Sequence, residues 1–267
     1  MVCERPPRLR LQRWLRGILL ISCSRRGIHF PRVTIVSQGE VMRHVSRPKP
    51  VVENEIYRLR FSDKELQQQR EFWRPICRFL ENYMSVEGAT LDLGAGYCHF
   101  INNVRSVKKY ALDINEENLR LYAQNDVELL IGNGTDISLP NASLDTVFAS
   151  NVYEHFHTRE DVAGSFTEVR RTLRPGGRFV VLQPNFMYCS KHYFDFFDHR
   201  LAFTHHAIAE GLQVAGFRIV RIIPQFLPFK SKSKLPKSAW LVGLYLRVPL
   251  AWRIFGGQMF IVAEKPG

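Results

Sequence analysis

The residue types and spacing best able to do chemistry are Asp92-Leu-Gly-Ala-Gly96 and, seventeen residues beyond Gly96, Leu112-Asp113. Paired glycines let a backbone approach a ligand closely, because neither carries a Cβ and both tolerate positive φ. A carboxylate at the next strand end, here Asp113, accepts both hydroxyls of a ribose. The combination describes a site for an adenine nucleoside. A nicotinamide-dinucleotide loop reads G-x-G-x-x-G, whereas Gly94-Ala-Gly96-Tyr-Cys-His99 lacks the third glycine. Asp92 places an acid just before the loop, which is unhelpful beside two phosphates but suits a ligand with an ammonium or sulfonium centre.

Such a loop needs strands and helices to hold it. Apolar residues at Leu66, Phe72, Trp73, Ile76, Phe79, Leu80 and Tyr83 recur near a helical spacing and predict an amphipathic helix over 65–83, kinked at Pro75. Ala89-Thr-Leu-Asp-Leu93 predicts a strand. It leads into the Gly-rich turn and a helix through Phe100, Ile101 and Val104. Strands follow at Tyr110–Ile114, Glu128–Ile131, Leu144–Ser150 and Arg178–Leu182, with helices at Glu116–Asn125 and Arg159–Leu173, the latter stopped by Arg174-Pro-Gly-Gly177. Thr204 is the expected N-cap of a helix reaching Val214, and strands are expected at Phe217–Ile223 and Gln258–Ala263. Alternating strands and helices predict parallel βαβ units in a sheet covered on both faces, with ligands outside the carboxyl ends of the strands.

An adenine nucleoside with a sulfonium centre is S-adenosylmethionine, and over roughly residues 88–223 and the last strand the sequence resembles the class I S-adenosylmethionine-dependent methyltransferases, in their broad small-molecule group. The resemblance implies an α/β, Rossmann-like seven-stranded sheet of order 3-2-1-4-5-7-6, preceded by an N-terminal helix. It implies that Asp92, Leu93, Gly94, Ala95 and Gly96 contact the methionine moiety, with Cys98 in place of the commoner third glycine. Asp113, followed by Ile114, matches the ribose-binding acid. Asn133 stands where the family usually has an aspartate accepting the adenine amino group, with Gly134 supplying a backbone amide. Asn151-Val-Tyr-Glu-His155 resembles the loop after the fourth strand, and Asn151 is expected beside the cofactor.

Methyl transfer is an in-line displacement, so placement and exclusion of water dominate, and a base is needed only for a hydroxyl or acidic-carbon acceptor. Candidate groups are His155, expected at the cofactor mouth, and His199, expected to pair with Asp198 or Asp195. The segment 188–206, with Tyr193-Phe-Asp-Phe-Phe-Asp-His-Arg200, reads as an acceptor pocket or its lid. No H-x-x-x-H or H-E-x-x-H spacing supports a metal, so none is expected. Residues 224–257, 34 residues where the family has a short connection, combine Lys230, Lys232, Lys234 and Lys237 with Ala239-Trp-Leu-Val-Gly-Leu-Tyr-Leu246, Trp252 and Arg253 and contain no acid. Three readings stand: peripheral membrane or lipid-substrate contact, a dimer contact or hydrophobic lid, and RNA contact. The expected acceptor is a small molecule, glycan or lipid-linked precursor, methylated on oxygen or carbon.

Composition narrows the rivals. The 267 residues carry a net charge of +12 and 45% hydrophobic residues, a globular balance. Residues 1–50 hold eleven of the basic residues against Glu4 and Glu40, so that segment carries +9 and the remaining 217 residues only +3. An RNA methyltransferase is therefore disfavoured. A non-catalytic adenosine-binding scaffold is the other rival, with Cys98 and Asn133 as its altered positions. The leader 1–50 reads as a nonfunctional or mis-started extension, with a targeting presequence or basic arm as alternatives, and the folded domain is expected over 51–267. Five cysteines, none as C-x-x-C, fit a reducing compartment, and no stretch approaches the roughly 18 apolar residues of a membrane span. A cytoplasmic location, with contact at a membrane surface as an addition, is expected.

Overall fold

A computed structural model describes residues 56, 59, 60, 62–229 and 238–267. The basic leader 1–50 and the lysine cluster Lys230–Lys237 lie outside the described residues. The elements are α1 (Asp63–Leu80), β1 (Ala89–Leu93), β2 (Lys108–Asp113), α2 (Glu116–Tyr122), β3 (Val127–Ile131), β4 (Leu144–Ser150), α3 (Arg159–Thr172), β5 (Leu173–Pro184), α4 (Phe186–Tyr193), α5 (His205–Val214), β6 (Arg218–Ile223), α6 (Ala239–Leu246), α7 (Pro249–Phe255) and β7 (Gln258–Glu264).

The seven strands form one sheet in the order β3-β2-β1-β4-β5-β7-β6, as the resemblance implied. The β1–β2, β1–β4, β2–β3 and β4–β5 pairs are parallel, and β7 runs antiparallel between β5 and β6. Both faces are buried. Leu91, Val147 and Val181 pack with Val162, Phe166 and Val169 of α3 and Ile208 and Leu212 of α5 on one face. Phe148, Val180, Phe260 and Val262 pack with Ile76, Cys77 and Leu80 of α1, Leu246 of α6 and Trp252 of α7 on the other.

Local chemistry explains the boundaries. A capping box starts α1: Ser62 Oγ accepts from the Glu65 N–H at 3.4 Å, and Glu65 Oε2 accepts from the Ser62 N–H at 2.9 Å. Thr204 caps α5 as expected, accepting from the Ala207 N–H.

Two expectations are corrected. The stretch through Phe100, Ile101 and Val104 forms successive turns, because Gly96 and Cys98 both take positive φ (51° and 56°) and interrupt helical geometry. The Pro175-Gly-Gly177 run does not stop α3, which has already ended at Thr172. It lies within β5 where the register against β4 shifts, with Gly176 at φ 76°. Residues 239–255 fold as two helices on the same domain, and α6 packs on α1.

Candidate active site

β1, β2 and β4 end together and deliver three loops to one rim. Gly94 and Ala95 both donate to the Leu112 carbonyl oxygen, at 2.8 and 3.1 Å, tying the loop after β1 to the end of β2. Gly94 has φ 73°, and a Cβ there would stand 2.4 Å from Val152, so this glycine is what lets the first loop pack against the loop after β4. Gly96, at φ 51°, has nothing within 4 Å of its missing Cβ. Its open side belongs to a cavity of about 750 Å³, which Asp92, Gly94, Ala95, Gly96, His99, Asn151, Glu154, His155 and His199 all line.

The donor end has unmet polar needs. Asp92 is 3% exposed, and burial, reinforced by the nearby Asp113, pushes its carboxyl up to about 8 despite an opposing bond from the Ile101 backbone. Both ring nitrogens of His99 are buried without a hydrogen-bond partner, and burial pushes this imidazole down to about 4. A buried acid awaiting a cation, an orphaned imidazole and a rim glycine with open space fit an aminoacyl sulfonium nucleoside. The sequence reading missed His99; its place three residues past Gly96, in the stretch expected to be a helix, hid it.

The remaining donor residues occupy different settings. Asp113 Oδ2 accepts from the Gly96 N–H and Oδ1 from the Asn115 N–H, both at 2.8 Å. Ile114 is 55% exposed beside it. Leu93 has its side chain in the core, so only its backbone reaches the rim. Asn133 is exposed and its Oδ1 already accepts from the Thr135 N–H and hydroxyl, at 3.0 and 2.6 Å, while Gly134 is buried, close against Leu93 and Ser165.

At the far end the fold gathers a polar cluster in an aromatic wall. Glu154, in the 3₁₀ turn Tyr153–His155, is 1% exposed, and burial raises its carboxyl. Gln183 Nε2 donates to its Oε2. His155 Nδ1 lies 3.1 Å from the Asp198 carbonyl oxygen and 3.5 Å from its carboxylate. Burial would raise Asp198, but Arg60, 2.6 Å away, and His155 hold it below its usual range. His199 does not form the expected pair. Its Nε2 faces Glu154 Oε1 at 4.0 Å, Asp195 pairs instead with His192 at 3.0 Å, and Asp198 serves His155. Tyr193 and Phe196 rings lie 4.8 and 4.9 Å from His199, and burial pushes it down to about 4, so it is neutral at physiological pH.

Glu154 and Arg60 escaped the sequence reading. Glu154 adjoins His155 in a stretch already noted, and an acid between apolar Tyr153 and a histidine was the signal available. Arg60 meets Asp198 across 138 positions, which no local pattern reveals.

The sheet order and the glycine loop define a class I methyltransferase fold. Residues 91–181 match the family model described as methyltransferase domain. No curated protein matches the sequence. Among solved structures, a methyltransferase from Thermotoga maritima is 14% identical, with 80% of this chain and 96% of that chain covered and a TM-score of 0.57. A methyltransferase from Archaeoglobus fulgidus is 20% identical over 73% and 94% of the two chains, with a TM-score of 0.57. A geranyl diphosphate methyltransferase in complex with S-adenosylmethionine is 15% identical over 71% and 84%, with a TM-score of 0.52. Residues 91–181 thus match a methyltransferase domain, and the fold is that of the class I methyltransferases.

Proposed function

We propose that the protein methylates a hydroxyl or carbon of a small-molecule, glycan or lipid-linked acceptor that has a substantial apolar part. The observation that carries this reading is the continuity of one cavity from the donor loop to an aromatic end, where Phe196 and Phe229 pack on His199 and residues of α6 and α7 line the same cavity as Glu154 and His155.

When bound, S-adenosylmethionine supplies a sulfonium methyl: an acceptor electron pair forms the new bond to carbon as the carbon–sulfur pair stays on sulfur and the acceptor loses its proton. Asp92 and His99 are suited to the charged aminoacyl end, Asp113 to the ribose, and the Ile114 and Asn133-Gly134 rim to the base. Asn151, at φ 50°, turns the chain from β4 into the acceptor side. Phe72, Trp73 and Phe148 give the same cavity an apolar lining that disfavours water. His155, steadied by Asp198, and His199 stand where the acceptor's reacting atom is to be received.

The lipid-linked option rests on the outer side of the insertion. Trp240, Leu250 and Ile254 are 72, 65 and 65% exposed, outside the cavity lining. An apolar outer face on cavity-roofing helices suits an acceptor delivered from a lipid surface. Among the described residues no helix is long and apolar enough to cross a membrane. The test is transfer of radiolabelled methyl from S-adenosylmethionine into lipid extracts, lipid-linked glycans and free sugars. Label in the organic phase is expected. Equal labelling of free sugars without lipid would remove the lipid-linked part, and failure to bind S-adenosylhomocysteine would remove the whole reading.

A further inference from the structure

The acceptor end holds a group of residues whose chemistry differs from that of a simple proton acceptor. One carboxylate oxygen of Glu154 and one nitrogen each of His155 and His199 all lie within 4.8 Å of one another. Glu154 Oε1 is 4.0 Å from Nε2 of both histidines. Three ligand atoms each about 2.1 Å from one cation in a tetrahedral set stand about 3.4 Å apart, so on binding the two 4.0 Å pairs would draw in by about 0.6 Å and the remaining pair by about 1.4 Å at most.

The supporting contacts are those of a ligand set held in place. The His155 Nδ1 contact with the Asp198 carbonyl oxygen fixes the tautomer that leaves Nε2 with its lone pair towards Glu154. Gln183 occupies the other oxygen of Glu154, leaving Oε1 towards the imidazoles. The backbone ties the two segments together: the Glu154 carbonyl accepts from the Arg200 and Leu201 N–H groups at 2.7 and 3.1 Å. All three candidate ligands line the cavity, so any cation they hold has open positions towards an acceptor.

We infer that Glu154, His155 and His199 form a binding site for one divalent first-row transition ion, which holds the acceptor's oxygen at the end of the cavity. Two imidazoles and one carboxylate select zinc or manganese over magnesium or calcium, which prefer all-oxygen sets. A cation there also compensates the buried Glu154 carboxylate. The inference rests on the proposed reading of this cavity end as the acceptor site, and it narrows that acceptor to one with a coordinating oxygen.

The test uses the full chain, stripped with chelator, titrated calorimetrically with Zn²⁺ and separately with Mn²⁺, the latter also followed by electron paramagnetic resonance. One equivalent should bind, and Glu154→Gln and His199→Asn should each weaken binding at least tenfold while circular dichroism and S-adenosylhomocysteine affinity stay as in the unmodified protein. Asp113→Asn should weaken the nucleoside and leave metal affinity unchanged. Absence of stoichiometric binding by the folded protein, or binding equally strong in both ligand variants, overturns the metal site. Normal metal binding without any nucleoside binding would instead overturn the methyltransferase reading of the cavity and leave the ion site standing.

Discussion

Asp113 Oδ2 accepts the Gly96 backbone N–H at 2.8 Å, so the acid at the end of β2 fixes the glycine loop at the end of β1. One carboxylate thus shapes the rim, and it is the group proposed to face the ribose. Replacing Asp113 by Ala should weaken S-adenosylhomocysteine about tenfold to a hundredfold, the worth of about 1.5–3 kcal/mol for bonds to a charged group. Asp113→Asn keeps one acceptor oxygen and should lose less. Calorimetric titration of the three proteins checks the order.

Asp92 gives the pH dependence. Its carboxyl, held up to about 8 by burial, must ionise to face a cationic ligand. Apparent affinity for S-adenosylmethionine should therefore improve about tenfold per pH unit from pH 6 towards 8 and level off above, with proton release on binding below 8. Asp92→Asn should flatten the profile. Without ligand the native state keeps this proton after an unfolded carboxyl has lost it near pH 4, so stability falls as pH rises from about 4 to about 8. Melting temperatures across that range, with Asp92→Asn as reference, measure the slope.

The two rim glycines should fail in different ways. Gly94→Ala meets Val152 at 2.4 Å in addition to its positive φ, so overpacking of about 1–3 kcal/mol adds to a backbone cost of about 1–2 kcal/mol. Gly96→Ala meets nothing within 4 Å and incurs only the backbone cost, yet it fills space on the cavity side. Thermal unfolding should therefore single out Gly94→Ala, and nucleoside titration should show lost binding in Gly96→Ala.

Much of this architecture was readable because strands and their ends have local signatures. Leu144–Ser150 is the expected strand residue for residue, and the Thr204 cap is where it was expected. The turns after Gly96 were not readable, since helical spacing at Phe100, Ile101 and Val104 says nothing of the positive φ at Cys98. Pro175-Gly-Gly177 carries the chemistry of a helix stop, but β5 begins before it and accommodates it as an irregularity. At the acceptor end, His155 and Asp198 were both singled out as separate candidates. Their pairing, and the convergence of Glu154 with His199, come from segments more than forty residues apart that only the packing of residues 198–201 on the 3₁₀ turn brings together.

The insertion's two tryptophans divide its inner and outer sides. Trp252 is 8% exposed, donates from Nε1 to the Tyr245 carbonyl at 2.9 Å and packs on Phe79 and Phe226. Trp252→Ala should cost about 3–5 kcal/mol in thermal or urea unfolding. Trp240→Ala should leave stability within about 0.5 kcal/mol and, on the lipid-delivery reading, reduce cosedimentation with anionic vesicles.

β7 is the last strand in sequence but lies between β5 and β6. Its first residue also anchors the cavity wall: the Gly257 and Gln258 N–H groups donate to the Leu227 carbonyl at 2.9 Å, and the Phe226 N–H to the Gln258 carbonyl at 2.7 Å. During synthesis the donor loop can therefore form well before the acceptor wall. Until β7 has been made, β5 and β6 each present an edge that β7 will pair. A chain that lacks β7 has bare β5 and β6 edges and an unfinished acceptor wall, surfaces open to mispairing.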